Sequence, residues 1–250
     1  MKNLIFGILV VFISVVNAQE PQNIFEEANS QYQKEAYTEA IISYKKVIDQ
    51  GLESAELYFN LGNSYYKTNQ IAEAIYNYEK ALVLNPSFKD AKVNLAYANR
   101  SIIDSIKVLP KSIFEKLNDA VFTFFSYNTW AKFAVGASLV SGVLWLLFFF
   151  STQPGIKKTY FTLGIITTLL CLITLGITSQ QYNYTTKTKQ AIVFSDEVAV
   201  KNAPRENASE VFTLHEGTKV VILDEVGDWQ KIKIADGQVG WLLKNNINFF

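Results

Sequence analysis

Residues 55–86 read AELYFNLGNSYYKTNQIAEAIYNYEKALVLNP, and this stretch decides the architecture of the N-terminal part of the chain. Tyr58, Leu61, Gly62 and Tyr65 fall on one face of a first helix, and Ala74, Tyr78 and Ala81 on one face of a second. Small side chains at Gly62, Ala74 and Ala81 let two helices approach closely, while the tyrosines and Leu61 fill the space between them. Pro86 ends the second helix and opens the next, because proline lacks the donor that an interior position needs. The pattern also occurs upstream. Ala28 matches Gly62, Tyr32 matches Tyr66, Ala40 matches Ala74 and Tyr44 matches Tyr78, each at an offset of 34 residues.

A 34-residue period of antiparallel helix pairs resembles the tetratricopeptide repeat. The segment 19–109 is therefore expected to be an all-α repeat domain. Its first copy departs from the family pattern at Glu27, where leucine is usual, and at Leu52, where proline is usual. Asp90 to Lys107 reads as the lone first helix of a third unit, which would cap the stack. The resemblance implies a concave groove faced by Phe25, Asn29, Tyr32, Phe59, Asn63, Tyr66, Val93, Tyr97 and Arg100. Rings supply contact area and the two asparagines pin a backbone, which suits an extended peptide. Some repeats of this kind clamp a C-terminal carboxylate with lysines. Gln22, Phe25, Glu56 and Phe59 stand where that clamp wants charge, so it is disfavoured. The bland alternative is that the groove tyrosines only pack the short stack.

The N-terminus reads as a secretory signal over 1–18, with Lys2, an apolar run from Leu4 to Val16, and Val16-Asn17-Ala18 before a cut at Gln19. The alternative is an uncleaved anchor. Two further runs are long enough to cross a bilayer, 131–150 and 161–178, the first carrying only Lys132 and the second uncharged. Trp130, Tyr160, Tyr182 and Tyr184 suit the membrane–water boundary. Small residues at Ala134, Ser138 and Gly142, and at Gly164 and Thr168, suggest close packing of the two spans. The segment 151–160 is then a short cytoplasmic loop holding Lys157 and Lys158, in keeping with the positive-inside tendency. That orientation places the flanking domains on the periplasmic side of a bacterial inner membrane. The connector 110–130 holds an amphipathic stretch, with Ile113, Leu117, Val121 and Phe125 every fourth residue. It either lies in the membrane interface or packs on the last repeat helix. Asn128 or Thr129 would cap the helix that follows.

After a linker at 179–190, residues 191–250 change to short apolar alternations separated by Gly217, Gly227-Asp228 and Asp236-Gly237. The order and spacing of VAVKNAP (198–204), LHEGTKVVIL (214–223), DWQKIKI (228–234) and DGQVGWL (236–242) resemble the bacterial SH3-like domain, a small all-β barrel. In that family the Gly-Trp pair, here Gly240-Trp241, closes the barrel after a hairpin. Lys201-Asn202-Ala203 departs from the usual Arg-Ser/Ala-Gly and leaves the family's ligand open. Trp241 is expected to fill much of the core, and Trp229 is either a core residue or part of a binding surface. Having its own turns, the tail is expected to fold alone.

Composition narrows the function. Lys plus Arg and Asp plus Glu both number 23, which argues against a nucleic-acid partner. Cys171 is the only cysteine and His215 the only histidine, so internal disulfides, Cys-rich metal sites and most nucleophile–base pairs are excluded. Cys171 reads as an apolar filler and His215 as a surface or satisfied histidine. No enzyme, cofactor or metal is expected. The order of signal, repeats, two spans and SH3-like domain resembles the BatE-type aerotolerance proteins of Gram-negative bacteria. That resemblance implies a non-enzymatic membrane component. Its partners would be proteins with von Willebrand A-type domains and further repeats, and its role would lie in oxidative or envelope stress. Two readings follow: a scaffold that gathers protein partners through the groove, or a sensor of cell-wall material or another ligand working through the barrel.

Overall fold

The computed structural model describes residues 21–250 apart from Val108 and Lys111; the expected signal segment, 1–18, lies outside the described residues. The chain forms two compact units. Among the described residues, one joins 21–84 with Phe88–Leu109 and Gln190–Phe250; the other comprises Asn85–Ser87 and Pro110–Lys189.

In the first unit, α1 is described over 21–33 and is followed by α2 (Tyr37–Asp49), α3 (Ala55–Lys67), α4 (Ile71–Leu84) and α5 (Lys89–Ala98). The loop between paired helices is the same in both repeats. Glu35 and Asn69, again 34 apart, have φ near 60°, and the N–H groups of Ala36 and Gln70 reach back to the carbonyls of Gln31 and Tyr65. These are helix-ending motifs that need one left-handed residue each. Tyr44, Tyr78, Ala28, Ala40, Ala74 and Ala81 are all buried. A Cβ on Gly62 would stand 2.8 Å from the Tyr78 ring, so the close approach seen in the sequence is an absolute requirement there.

The stack ends differently from expectation. α5 stops at Ala98, and residues 99–107 run on without helix. A barrel covers the end instead. Its strands are β1 (Gln190–Val193), β2 (Glu197–Lys201), β3 (Glu210–His215), β4 (Lys219–Val226), β5 (Trp229–Lys233), β6 (Val239–Leu243) and β7 (Ile247–Phe249). They form one antiparallel sheet ordered β3-β2-β6-β5-β4-β1-β7. The sheet wraps a single interior to which every strand contributes, including Val193, Val200, Leu214, Val220, Ile232, Leu242 and Ile247. Gly217, Gly227 and Gly237 have φ of 85°, 58° and 92°, as the turns require. A Cβ on Gly240 would lie 2.5 Å from Val200, so only glycine lets β6 pass under β2.

Strand periodicity joins barrel to stack. Val193 points into the barrel, whereas its neighbour Ile192 is buried among Ala72, Ile75, Tyr78 and Ala98 of the helices. Tyr76 meets Phe194 and Phe250 edge-on at 5.8 and 6.2 Å, and Lys219 pairs with Glu79 at 2.8 Å. Ile102, just past α5, lies against Gly217, and the Leu109 N–H donates to the Ala235 carbonyl at 3.1 Å.

The second unit holds α6 (Ile113–Phe122), α7 (Tyr127–Phe150) and α8 (Pro154–Lys187). Ser126, rather than Asn128 or Thr129, caps α7, accepting from the Thr129 N–H. α8 begins at Pro154, so Lys157 and Lys158 sit in its first turns and only 151–153 form the bend. Most of the expected 179–190 linker is helical as well. α7 and α8 are both long and apolar enough to cross a membrane. Their contact uses Ala134, Ser141 and Trp145 on α7. Ser141 and the Trp145 indole both bond the Thr168 hydroxyl, at 2.8 and 3.1 Å, Gly164 lies against the indole, and the Cys171 thiol reaches the Ala134 carbonyl at 3.5 Å. Ser138 and Gly142 do not take part: Ser138 is exposed and bonds its own helix, and a Cβ on Gly142 would meet open space. The hydrogen-bonding register with Thr168 selects Ser141 over the sequence's four-residue stripe.

Candidate functional site

The groove is built on a hydrogen-bond ladder that repeats with the sequence. Tyr44 donates to Asn29 Oδ1 at 2.7 Å, and Tyr78 donates to Asn63 Oδ1 at 2.8 Å. The same oxygens accept from Asn60 Nδ2 at 3.0 Å and from Asn94 Nδ2 at 2.7 Å. Each rung therefore ties the second helix of one repeat to two successive first helices. Burial pushes the Tyr44 and Tyr78 hydroxyls well above the ordinary 10, so both remain donors at any physiological pH. Because Asn63 Oδ1 already accepts twice, its amide has only N–H to offer a ligand.

Above the second rung lies a cavity of ≈ 210 Å³ lined by Tyr32, Tyr66 and Tyr97 with Asn63, Asn94, Tyr78 and Lys67. Tyr66 and Tyr97 are 37% and 54% exposed, and the Arg100 guanidinium lies over the Tyr97 ring at 5.3 Å. Of the residues proposed for the groove, Tyr32, Asn63, Tyr66 and Tyr97 come together here. Val93 and Arg100 are exposed but do not line the cavity. Phe25 and Phe59 do not line it: half-buried Phe25 packs on Tyr44 at 5.9 Å, and half-buried Phe59 on Tyr78 and Phe88 at 6.1 and 4.8 Å. Asn29 serves the first rung. Sequence reasoning missed Asn60 and Asn94, although they too are 34 apart, and it missed Lys67. The site presents phenol and amide groups and one ammonium.

The barrel carries a second surface. β5 and β6 turn Gln230, Ile232, Gly240 and Leu242 inward, and Trp229, Lys231 and Trp241 the other way. Trp241 is thus a half-buried face residue and does not fill the core, where Leu242 and Ile232 stand; Trp229 shares that face. Lys201 lies over the Trp229 ring at 5.6 Å and Lys231 over the Trp241 ring at 5.9 Å.

His215 is satisfied by a residue far away in sequence. The Asp104 carboxylate accepts from the His215 backbone N–H at 2.8 Å and from Thr218 Oγ1 at 2.6 Å, and it meets His215 Nδ1 at 2.7 Å. Burial alone would raise the Asp104 pKa, but these bonds outweigh it and hold the carboxyl below its ordinary 3.8. No group of three or more His, Cys, Asp or Glu able to hold a metal occurs among the described residues.

Comparison with known families agrees with this architecture. Residues 28–69 match the TPR repeat family, residues 55–88 the tetratricopeptide repeat family, and residues 196–248 the bacterial SH3 domain family. No curated protein matches the chain. A solved structure of an NlpC/P60 family protein from Bacillus cereus is similar at 21% identity over 28% of this chain and 23% of that one, with a TM-score of 0.22, a likeness too slight to argue from.

Proposed function

We propose that the protein is a non-enzymatic membrane scaffold whose repeat groove holds an extended peptide segment of a partner protein. The observation that carries this reading is the cavity at the second rung, where exposed Tyr66 and Tyr97 flank amides already oriented as donors. The α7–α8 hairpin is the anchor. The secretory reading of the N-terminus and the lysine pair of α8 support an orientation with repeats and barrel on the periplasmic side of a bacterial inner membrane. The order of modules supports membership of a Bat-type aerotolerance or envelope-stress complex with other membrane or periplasmic proteins. The test is partner capture by crosslinking in native membranes. Tyr66→Ala with Tyr97→Ala lowers capture several-fold at unchanged helicity; equal capture, or helicity lost in parallel, contradicts the reading.

A second reading, a sensor of cell-wall material, draws on the Trp229–Lys231–Trp241 face, where two indoles and two lysines suit a sugar ring bearing carboxylates. Retention of wall fragments that Trp241→Ala abolishes, with capture through the groove unaffected, favours it.

A further inference from the structure

α6 has three sectors. At about 100° per residue, Ile113, Leu117, Val121 and Phe114 fall on one side of the helix, Asn118 and Phe122 on a second, Lys116 and Asp119 on a third. The second sector is engaged. Asn118 Oδ1 accepts from Gln180 at 3.4 Å, the Phe122 ring lies 6.0 Å from Tyr184, and the buried Gln181 amide donates to the carbonyls of Phe122 and Phe125 at 3.2 and 3.0 Å. The first sector is not: Ile113, Phe114 and Leu117 are 82%, 80% and 61% exposed. Three large apolar side chains on one short helix are costly to leave in water.

What covers them follows from where α6 is tied. Gln180 and Gln181 mark the point at which α8 turns from apolar to polar, and rings gather at that level: Tyr127 on Tyr182 at 5.6 Å, and Trp130 on Phe125 at 5.5 Å. Tyrosine and tryptophan concentrate where a span leaves the bilayer. A helix bonded to that boundary, with one apolar flank and one charged flank, meets headgroups and the first methylenes of the acyl chains. We propose that α6 is an interfacial helix whose Ile113–Phe114–Leu117 face enters the lipid surface beside the hairpin. Gln181 is its positioning residue. The proposal rests on α7 and α8 being membrane spans.

The test uses the full chain in a Cys171→Ser background, where serine can still donate to the Ala134 carbonyl. A single cysteine is placed by Phe114→Cys, Lys116→Cys or Leu169→Cys, labelled with an environment-sensitive dye, and reconstituted into phosphatidylcholine–phosphatidylglycerol vesicles. Nitroxide lipids quench at shallow or deep positions, and cobalt quenches from water. The label at 114 is expected to be quenched several-fold more by shallow than by deep nitroxide and to be shielded from cobalt. The label at 116 should be open to cobalt, and the one at 169 should respond to deep nitroxide. A label at 114 insensitive to both lipids, which means a protein cover, overturns the proposal. So does one as open to cobalt as 116. A label at 169 that no lipid quenches overturns the spanning reading itself, a distinct failure.

Discussion

The two interfaces of the repeat-and-barrel unit are built in opposite ways. Between repeats, the same contact is made twice with the same residue types: Tyr44–Asn29–Asn60, then Tyr78–Asn63–Asn94. At the end of the stack, where a third helix pair would continue the ladder, the barrel makes contacts that occur once: Ile192 under α4, Lys219 on Glu79, and Asp104 held by His215 and Thr218. A periodic interface repeats its information along the chain. A terminal one cannot, because it has to stop the repeat by burying the last hydrophobic face under something unlike itself.

The largest expected effect lies in the periodic interface. Tyr78→Ala removes a fully buried ring that also supplies a rung, and should cost roughly 3–5 kcal/mol. Tyr78→Phe keeps the ring and loses the donor, which costs about 1 kcal/mol while Asn94 still bonds Asn63. Denaturant unfolding of the two variants measures the difference. If they lose stability equally, the ladder rather than the packing carries the interface.

The terminal interface should break more gently. Asp104→Ala leaves the His215 N–H and the Thr218 hydroxyl without their acceptor and should cost about 1–3 kcal/mol. This contact also has a pH signature. The folded pKa of Asp104 lies below 3.8, so its stabilisation is complete above the unfolded value near 3.8 and is lost as pH falls through the folded value. Asp104→Asn should remove that acid step, so the variant's melting temperature should fall less than the parent's as pH drops below about 4. An unchanged acid profile means the pairing does not contribute.

The smallest effect sits in the loops. Glu35 and Asn69 occupy the same left-handed position, which costs glutamate more than asparagine. Glu35→Gly should therefore stabilise by up to about 1 kcal/mol, whereas Asn69→Gly should be nearly neutral. Thermal melting of the pair separates backbone strain from any side-chain role of Glu35.

This contrast explains what could be read in advance. The helix pairs, the barrel turns at Gly217, Gly227 and Gly237, and the two apolar helices were legible because each depends on local spacing or on a single permissive residue. The convergence of Tyr32, Asn63, Tyr66 and Tyr97 on one cavity was legible for the same reason, since they follow the repeat. The contacts of the half-buried Phe25 and Phe59 with Tyr44 and Tyr78 were not legible, because position on a helix face does not say which way a ring turns. Trp241 was misread as core because the two faces of β6 differ by one residue in register, and Leu242 took the interior. The joint was illegible. Asp104 and His215 are 111 residues apart, and nothing local distinguishes Asp104 from any other acid in a polar stretch. The contact of the tail with the stack was equally illegible: Ile192, Phe194 and Phe250 pack against residues of α4.

The joint bears on the proposed binding groove because α5, its last wall, carries Asn94 and Tyr97 and has no second helix behind it. The barrel stands in that helix's place. Hydrogen exchange of the full protein in lipid nanodiscs, parent against Asp104→Ala, tests this most directly. The account predicts that protection falls together in α5, in β1 and in the β3–β4 turn, with α1 and α2 unaffected. Loosening confined to the barrel, with α5 as protected as in the parent, would contradict it.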